Sequence, residues 1–179
     1  MTDYSGLMLP AVMSLKAGIS APVADRWSPS ITIGTPVLIA EDYVADLSVR
    51  LALYRRLADI EDEGEIGSFG AEMVDRFGKM PQEVRHLLDT VVLKALCRRA
   101  NVAKIEAGPK GAVLSFRDDT FANPEGLVAF IREQGRDAKV RPDMKVVLFD
   151  DWETPEERLK GATAILRRLV SIAERAKAA

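Results

Sequence analysis

The chain has 179 residues, of which 47% are hydrophobic and 29% are charged. These values are close to average soluble usage and argue against a disordered chain or a fibre, while the length fits one large domain or one ordinary domain with an extra segment, at about 150 residues per domain. The formal charge of −2 is unevenly distributed: residues 1–90 carry 8 basic and 14 acidic side chains, and residues 91–179 carry 17 and 13. Neither half has the dense Lys/Arg content that binding to a phosphate backbone normally needs.

The cysteine and histidine counts exclude several kinds of site. Cys97 is the only cysteine, so no internal disulfide and no zinc site of several thiolates can form. We expect Cys97 to be a small core residue, because no second histidine completes a catalytic arrangement around it. His86, the only histidine, lies in an apolar run and is predicted to be a partly exposed helix residue.

No apolar run approaches the about 18 residues of a membrane span, and the N-terminus lacks the pattern of a secretory signal. The expected location is therefore cytoplasmic, with no membrane partner.

The first forty residues combine a helical pattern with segments that favour irregular structure. Apolar side chains recur at helical spacing in residues 4–18, although Pro10 disturbs the pattern. Residues 19–35 mix Ser, Pro, Ala and Gly, which is typical of a linker or a strap laid over another surface. Short strands are predicted at residues 31–33 and, after a proline, at residues 37–39.

Three helices are predicted next. Residues 42–60 have an amphipathic pattern, and the acidic segment 61–65 is predicted to link them to a second helix that ends at Gly78, a good C-terminal stop. A third helix is predicted to begin near Pro81 and to continue to about Ala100, with one apolar stripe.

The second half changes to strand patterns. Residues 102–105 and 112–116 flank the segment Gly108-Pro109-Lys110-Gly111, which predicts a β-hairpin. Asn123 followed by Pro124 is typical of a helix cap and a first helical turn.

Further strand material is predicted at Val140 and at residues 145–149. Thr154 and Glu157 have the spacing of a capping box at the start of a closing helix. An order of helices first, then a small sheet with more helices, favours an α+β fold. We expect a small sheet that contains a β-hairpin, packed with about five helices.

Catalytic motifs are not evident in these residues. The Gly-Pro-Lys-Gly turn lacks the spacing of a phosphate-binding loop, and no nucleophile elbow or H-E-x-x-H pattern occurs. The carboxylate clusters at residues 41–42, 61–65 and 150–153 are expected to be solvated. A small hydrolase built on one of them is an alternative that would need a pocket and a shifted pKa.

A basic segment gives a second alternative. Lys94, Arg98, Arg99 and Lys104 could contact the phosphates of a nucleic acid, which would make the chain a free-standing nucleic-acid-binding module. A solvated helix face is favoured instead, because no aromatic residues for base stacking are interleaved with them. The residues alone therefore indicate a non-catalytic α+β domain that binds another protein.

Residues 72–84 read EMVDRFGKMPQEV and resemble the E-L-x-D-R-F-G-x-x-P-x-x-V motif of the carboxy-terminal domain of bacterial transcription-repair coupling factors. The likeness extends over roughly residues 36–176, and residues 4–18 resemble the last helix of that family's motor. The other matching segments are YVAD at 43–46, RLALYRR at 50–56, GPKG at 108–111 and FANP at 121–124. The resemblance implies a motor remnant (residues 1–18), a linker or strap (residues 19–35) and a carboxy-terminal regulatory domain (residues 36–179).

The resemblance also implies a function. It places the chain in a longer ATP-driven DNA translocase that removes stalled RNA polymerase and recruits the repair protein UvrA. It implies no catalysis and no cofactor for these residues, with ATP and Mg bound by the motor. It further implies that this domain packs on an amino-terminal module resembling UvrB and masks the UvrA-binding surface until the protein engages polymerase.

The same resemblance suggests the contact residues. Glu72 and Asp75 match the acidic motif positions that face basic side chains of the UvrB-like module, with Arg76 either supporting the contact or paired locally. Phe77 is expected to anchor the helix in the core. The alternative is that the pairs Glu72–Arg76 and Asp75–Lys79, each four residues apart, only decorate a solvated face. Because the first half is acidic, we expect the docking face to be acidic and sensitive to salt.

Overall fold

The computed structural model describes residues 27–178, so the predicted helix at residues 4–18 and most of the predicted linker lie outside the described residues. The chain divides into two compact units. We call residues 36–92, with Trp27, the helical unit, and residues 28–35 with 93–178 the sheet unit.

Three helices form the regular structure of the helical unit: α1 (Leu47–Asp59), α2 (Glu63–Phe77) and α3 (Gln82–Ala100), of which α3 continues into the sheet unit. The helix predicted from residue 42 starts later, because Asp46 is its N-cap and accepts a hydrogen bond from the Val49 N–H at 3.1 Å. The predicted acidic link is shorter than expected, since Asp62 caps α2 and Glu63 is already helical.

A continuous apolar core holds the helical unit together. Gly70 of α2 lies under Leu88 of α3, and a Cβ atom there would be 3.2 Å from the Leu88 Cδ1. The core residues are Ile39, Val44, Leu53, Tyr54, Leu57, Ile60, Ile66, Phe69, Met73, Val84, Leu87, Leu88 and Val91.

Two predictions for the helical unit were wrong. Residues 37–39 form no strand; Ile39 is buried, and its N–H donates to the Tyr54 hydroxyl oxygen instead of to a neighbouring strand. His86 is buried, at 5% exposure, instead of partly exposed. The neighbouring Thr90 is also buried and satisfies its hydroxyl by donating to the His86 carbonyl at 2.8 Å.

The sheet unit contains a mixed five-stranded sheet in the order β1-β2-β3-β5-β4. β1 pairs with β2 in parallel, and all other neighbours are antiparallel. The predicted hairpin is confirmed as β2–β3. The strands are β1 (Ser30–Thr32), β2 (Val102–Gly108), β3 (Gly111–Phe116), β4 (Ala138–Val140) and β5 (Val146–Phe149).

Gly111 begins β3 with a φ of +122°, and a Cβ atom there would collide with the Leu148 carbonyl oxygen. Only glycine therefore fits at this end of the hairpin.

Two helices complete the sheet unit: α4 (Pro124–Gln134) contacts both β4 and α5 (Pro155–Ala178), and α5 contacts β2. Their predicted starts are confirmed. Asn123 accepts a hydrogen bond from the Gly126 N–H at 3.0 Å, and Thr154 and Glu157 exchange the two bonds of a capping box at 3.2 Å each.

Five helices and one five-stranded sheet among residues 27–178 confirm the α+β fold class. Within that part of the chain, none of the helices has the length and apolarity that crossing a membrane requires.

Cys97 lies in the sheet-unit part of α3 and is fully buried, as expected. Burial raises the pKa of its thiol to about 12. The thiol is therefore uncharged at neutral pH, which agrees with a core residue and disagrees with a nucleophile.

Candidate protein-docking site

Residues 72–77 of the motif form the last turns of α2. The end of that helix is held by two sets of hydrogen bonds. Gly78 ends α2 with a φ of +89°, and its N–H donates to the Val74 carbonyl at 2.9 Å. The hydroxyl oxygen of Tyr43 lies 3.1 Å from the Met73 carbonyl and 2.8 Å from the Gly78 carbonyl, so its single proton can be donated to either. The surface that carries Glu72 and Asp75 therefore ends in a well-defined turn.

Glu72 is bound by arginines from two helices. Arg56 of α1 forms a bidentate pair with it, from Nη1 to Oε2 at 2.6 Å and from Nη2 to Oε1 at 2.9 Å. Arg76, one turn further along α2, donates to Oε2 at 3.0 Å. These hydrogen bonds, first from Arg56 and then from Arg76, lower the pKa of Glu72 to about 2. We call these three residues the Arg56–Glu72–Arg76 cluster.

Aromatic rings hold both guanidinium groups of the cluster in place. The Arg56 guanidinium carbon lies 5.0 Å from the centre of the buried Phe69 ring, and that of Arg76 lies 4.8 Å from the centre of the Phe77 ring. Phe77 is only partly buried at the edge of the core, where Tyr43 contacts it edge-on. Phe77 therefore packs against the core, as expected, and its ring also contacts the Arg76 guanidinium at the surface.

Asp75 differs from Glu72, although both lie on one helix face three positions apart. It is exposed, beside the exposed Val74, and the structure describes no ion pair between it and Lys79. Of the two local pairs expected from the sequence, Glu72–Arg76 is thus formed and Asp75–Lys79 is not. Within residues 27–178, Asp75 is the acidic motif residue that stays open to a partner.

Arg56 is the cluster member that the sequence did not indicate as a site residue. It lies sixteen positions before Glu72 and on another helix, and no local pattern connects two residues at that distance. Only the packing of α1 beside α2 brings them together.

The basic segment does not form one exposed surface. Lys94 is largely withdrawn from solvent, and burial lowers its pKa to about 8. Arg99 is paired with Glu174 of α5 at 2.5 Å, and Lys104 with Glu106 of β2 at 2.6 Å. Arg99 and Lys104 are thus each paired with a carboxylate of the sheet unit.

The acidic clusters supply local hydrogen bonds. Asp62 accepts the Gly64 N–H at 2.6 Å, and Asp150 accepts the Asp151 N–H at 2.7 Å. Among the described residues, no group of three or more His, Cys, Asp or Glu side chains is placed to hold a metal ion.

The comparisons with known proteins agree with the motif. The TRCF domain family matches residues 33–127. The transcription-repair-coupling factor of Rickettsia conorii is 37% identical over 119 residues, which cover 66% of this chain and 10% of that protein. The corresponding protein of Escherichia coli K12 is 27% identical over 168 residues, which cover 93% of this chain and 15% of that protein. The chain thus spans only a small part of the length of these relatives.

A solved structure shows the same fold. A crystal structure of the C-terminal domain of a transcription-repair coupling factor superposes with a TM-score of 0.70 at 17% identity, covering 83% of this chain and 96% of that one. The family match spans more than half of the chain and includes the motif at residues 72–84. The chain therefore belongs to the TRCF domain family, which the transcription-repair coupling factors share.

Proposed function

We propose that this chain is a non-catalytic regulatory domain that docks on the UvrB-like amino-terminal module of a transcription-repair coupling factor. Docking would mask the surface of that module that binds UvrA. The observation that carries the proposal is the exposed Asp75 on the fixed end of α2, on the same helix face as Glu72.

Charge supports a basic partner surface. Residues 36–92 contain 12 acidic and 6 basic side chains, a formal charge of −6. A partner guanidinium or ammonium group that reaches Asp75 forms a charge-assisted hydrogen bond, which is shorter and stronger than a neutral one. The exposed Val74 beside it adds an apolar contact next to the charge.

A masking contact has to be reversible. Shifting a two-state equilibrium from 1:99 to 99:1 takes about 5.5 kcal/mol of differential binding. A small polar surface centred on one open carboxylate suits a contact that another partner can release. In this proposal, binding of the longer protein to RNA polymerase and DNA supplies that release.

The proposal includes the organisation of the longer protein. Residues 1–18 would be the end of a motor that binds ATP and Mg and translocates on DNA, residues 19–35 a linker or strap, and residues 36–179 the regulatory domain. These residues would contribute no catalytic group and bind no cofactor themselves.

The test is a calorimetric titration of this chain with a separately expressed UvrB-like module. We expect binding, and we expect Asp75→Asn to weaken it by roughly tenfold, because the amide oxygen still accepts a hydrogen bond but lacks the negative charge that strengthens it. Glu65→Gln is the matched control, because it removes the same charge from an exposed position of the same helix. Equal affinities of the two variants would refute Asp75 as the contact.

Masking needs its own measurement. Added chain should reduce the binding of UvrA to the immobilised UvrB-like module, and the Asp75→Asn variant should need a correspondingly higher concentration. If UvrA and this chain bind the module together, docking without masking is the correct description.

A further inference from the structure

We propose that Arg56 competes with the docking partner for Glu72, so that Asp75 makes the first acidic contact and docking stays weak. This inference rests on the proposed docking function and assigns different roles to its two acidic residues. Glu72 stays paired with Arg56 until a partner displaces it, and this pairing limits the affinity of docking.

The acceptor capacity of Glu72 is nearly used. A carboxylate offers about four acceptor positions on its two oxygens. The described hydrogen bonds occupy three of them, two with Arg56 and one with Arg76. A partner arginine cannot form a second bidentate pair with Glu72 until Arg56 leaves.

Arg56 is also held more firmly than Arg76. It contributes two hydrogen bonds to Glu72 against one from Arg76, and its guanidinium lies over Phe69, a ring that is only 2% exposed. A planar guanidinium that stacks on a ring and pairs in two places loses little freedom per bond formed. The Arg56 guanidinium is therefore already bound to Glu72 before any partner docks.

The local charge leads a partner cation to Asp75. The Arg56–Glu72–Arg76 cluster carries two positive charges and one negative charge, so the charge of Glu72 is already offset by its own arginines. Asp75 lies three positions away on the same face and has no described pairing with Lys79. The exposed carboxylate is thus the available one, and Glu72 becomes available only when Arg56 is displaced.

The variant that tests this inference is Arg56→Ala. Its docking affinity should rise if Arg56 competes with the partner, and should fall if Arg56 helps Glu72 to bind the partner. If Arg56 competes, its removal frees one acceptor position on each Glu72 oxygen, although Arg76 still donates to Oε2, and it tightens docking about two- to fivefold, the range that exposed ion pairs support. If Arg56 instead orients Glu72 for the partner, its removal weakens docking.

A matched control separates competition from a simple change in net charge. Arg55 precedes Arg56 on α1 and is exposed, so Arg55→Ala removes the same charge from an exposed position of the same helix without freeing Glu72. Arg56→Ala has to tighten docking more than Arg55→Ala does. The double variant Arg56→Ala/Glu72→Ala has to lose that extra gain, since no freed carboxylate remains.

The outcomes distinguish this inference from the function on which it rests. Absence of binding by the unmodified chain overturns the docking function. The competition alone is overturned if the unmodified chain binds and Asp75→Asn weakens binding, but Arg56→Ala does not bind more tightly than Arg55→Ala. It is also overturned if Arg56→Ala binds more weakly than the unmodified chain. Thermal unfolding of each variant shows whether it is folded. Arg56→Lys keeps the charge but not the bidentate pair, so its docking affinity has to lie between those of the unmodified chain and Arg56→Ala.

Discussion

The hydroxyl oxygen of Tyr54 accepts a hydrogen bond from the backbone N–H of Ile39 at 2.7 Å, inside the core of the helical unit. Both residues are 3% exposed. A side chain of α1 thus satisfies a backbone group in the segment before the helix, where no strand is available to do so.

Tyr54→Phe removes that acceptor and leaves the Ile39 N–H buried without this partner. We expect the free energy of unfolding to fall by about 1–3 kcal/mol, the cost of leaving a buried polar group unsatisfied. Urea unfolding followed by circular dichroism measures the change. An unaltered midpoint would mean that water or another group replaces the tyrosine oxygen.

Two helical glycines should respond in opposite directions to the same substitution. Gly67 of α2 is exposed with open space around it, so Gly67→Ala should stabilise by about 1 kcal/mol through helix propensity. A Cβ at Gly161 of α5 would overlap the ring of the buried Trp152, so Gly161→Ala should destabilise by about 1–3 kcal/mol. Thermal and urea unfolding of both variants provide the comparison, and a stabilised Gly161→Ala would show that the tryptophan has room to move.

The buried thiol of Cys97 should be unreactive while the protein is folded. Its pKa of about 12 leaves almost no thiolate at pH 8, and its side chain is fully buried. Ellman's reagent should label it only when denaturant unfolds the chain. Rapid labelling under native conditions would indicate local opening of α3.

The ion pairing of Glu72 predicts a pH window. Its pKa falls from 4.5 to about 2 on folding, so its contribution to stability is complete above pH 4.5 and is lost as the pH falls toward 2. The stability difference between the unmodified chain and Glu72→Gln should therefore shrink across that window. Carbon NMR of the carboxyl group provides a direct readout, and Arg56→Ala should move its titration upward. A midpoint near 4.5 in the unmodified chain would show that the pair does not persist in solution.

Docking should weaken as salt is added. The proposed contact joins exposed charges, and the distance over which exposed charges attract each other falls to about 10 Å at 0.1 M ionic strength. The dissociation constant for the UvrB-like module should rise steadily between low and high sodium chloride. An affinity that is constant over that range would assign the contact to apolar packing around Val74 instead.

Local signals in the sequence identified several element boundaries. Asn123, Thr154 and Glu157 act within their own helix start, and Gly78 within its own helix end, so each was readable from neighbouring residues. The strand predicted at residues 37–39 failed because the partner of Ile39 lies fifteen positions away on a side chain.

In the candidate site too, local patterns identified the residues within one helix but not their contacts with another helix. Glu72 and Asp75 look equivalent in the motif, since both are acidic and lie on one helix face. Their difference comes from Arg56, which only the packing of α1 against α2 places beside Glu72. A spacing pattern within one helix contains no information about a side chain on the next.

The contact between Tyr43 and the end of α2 has a thermodynamic consequence. Helix ends normally fray, and a binding residue on a frayed turn loses conformational entropy when a partner orders it. Because the Tyr43 hydroxyl lies within donating distance of both the Met73 and the Gly78 carbonyls, the turn that carries Asp75 has a hydrogen-bond donor in place before a partner binds. A partner of α2 therefore meets a preorganised surface, and even a contact of few groups can form without a folding step.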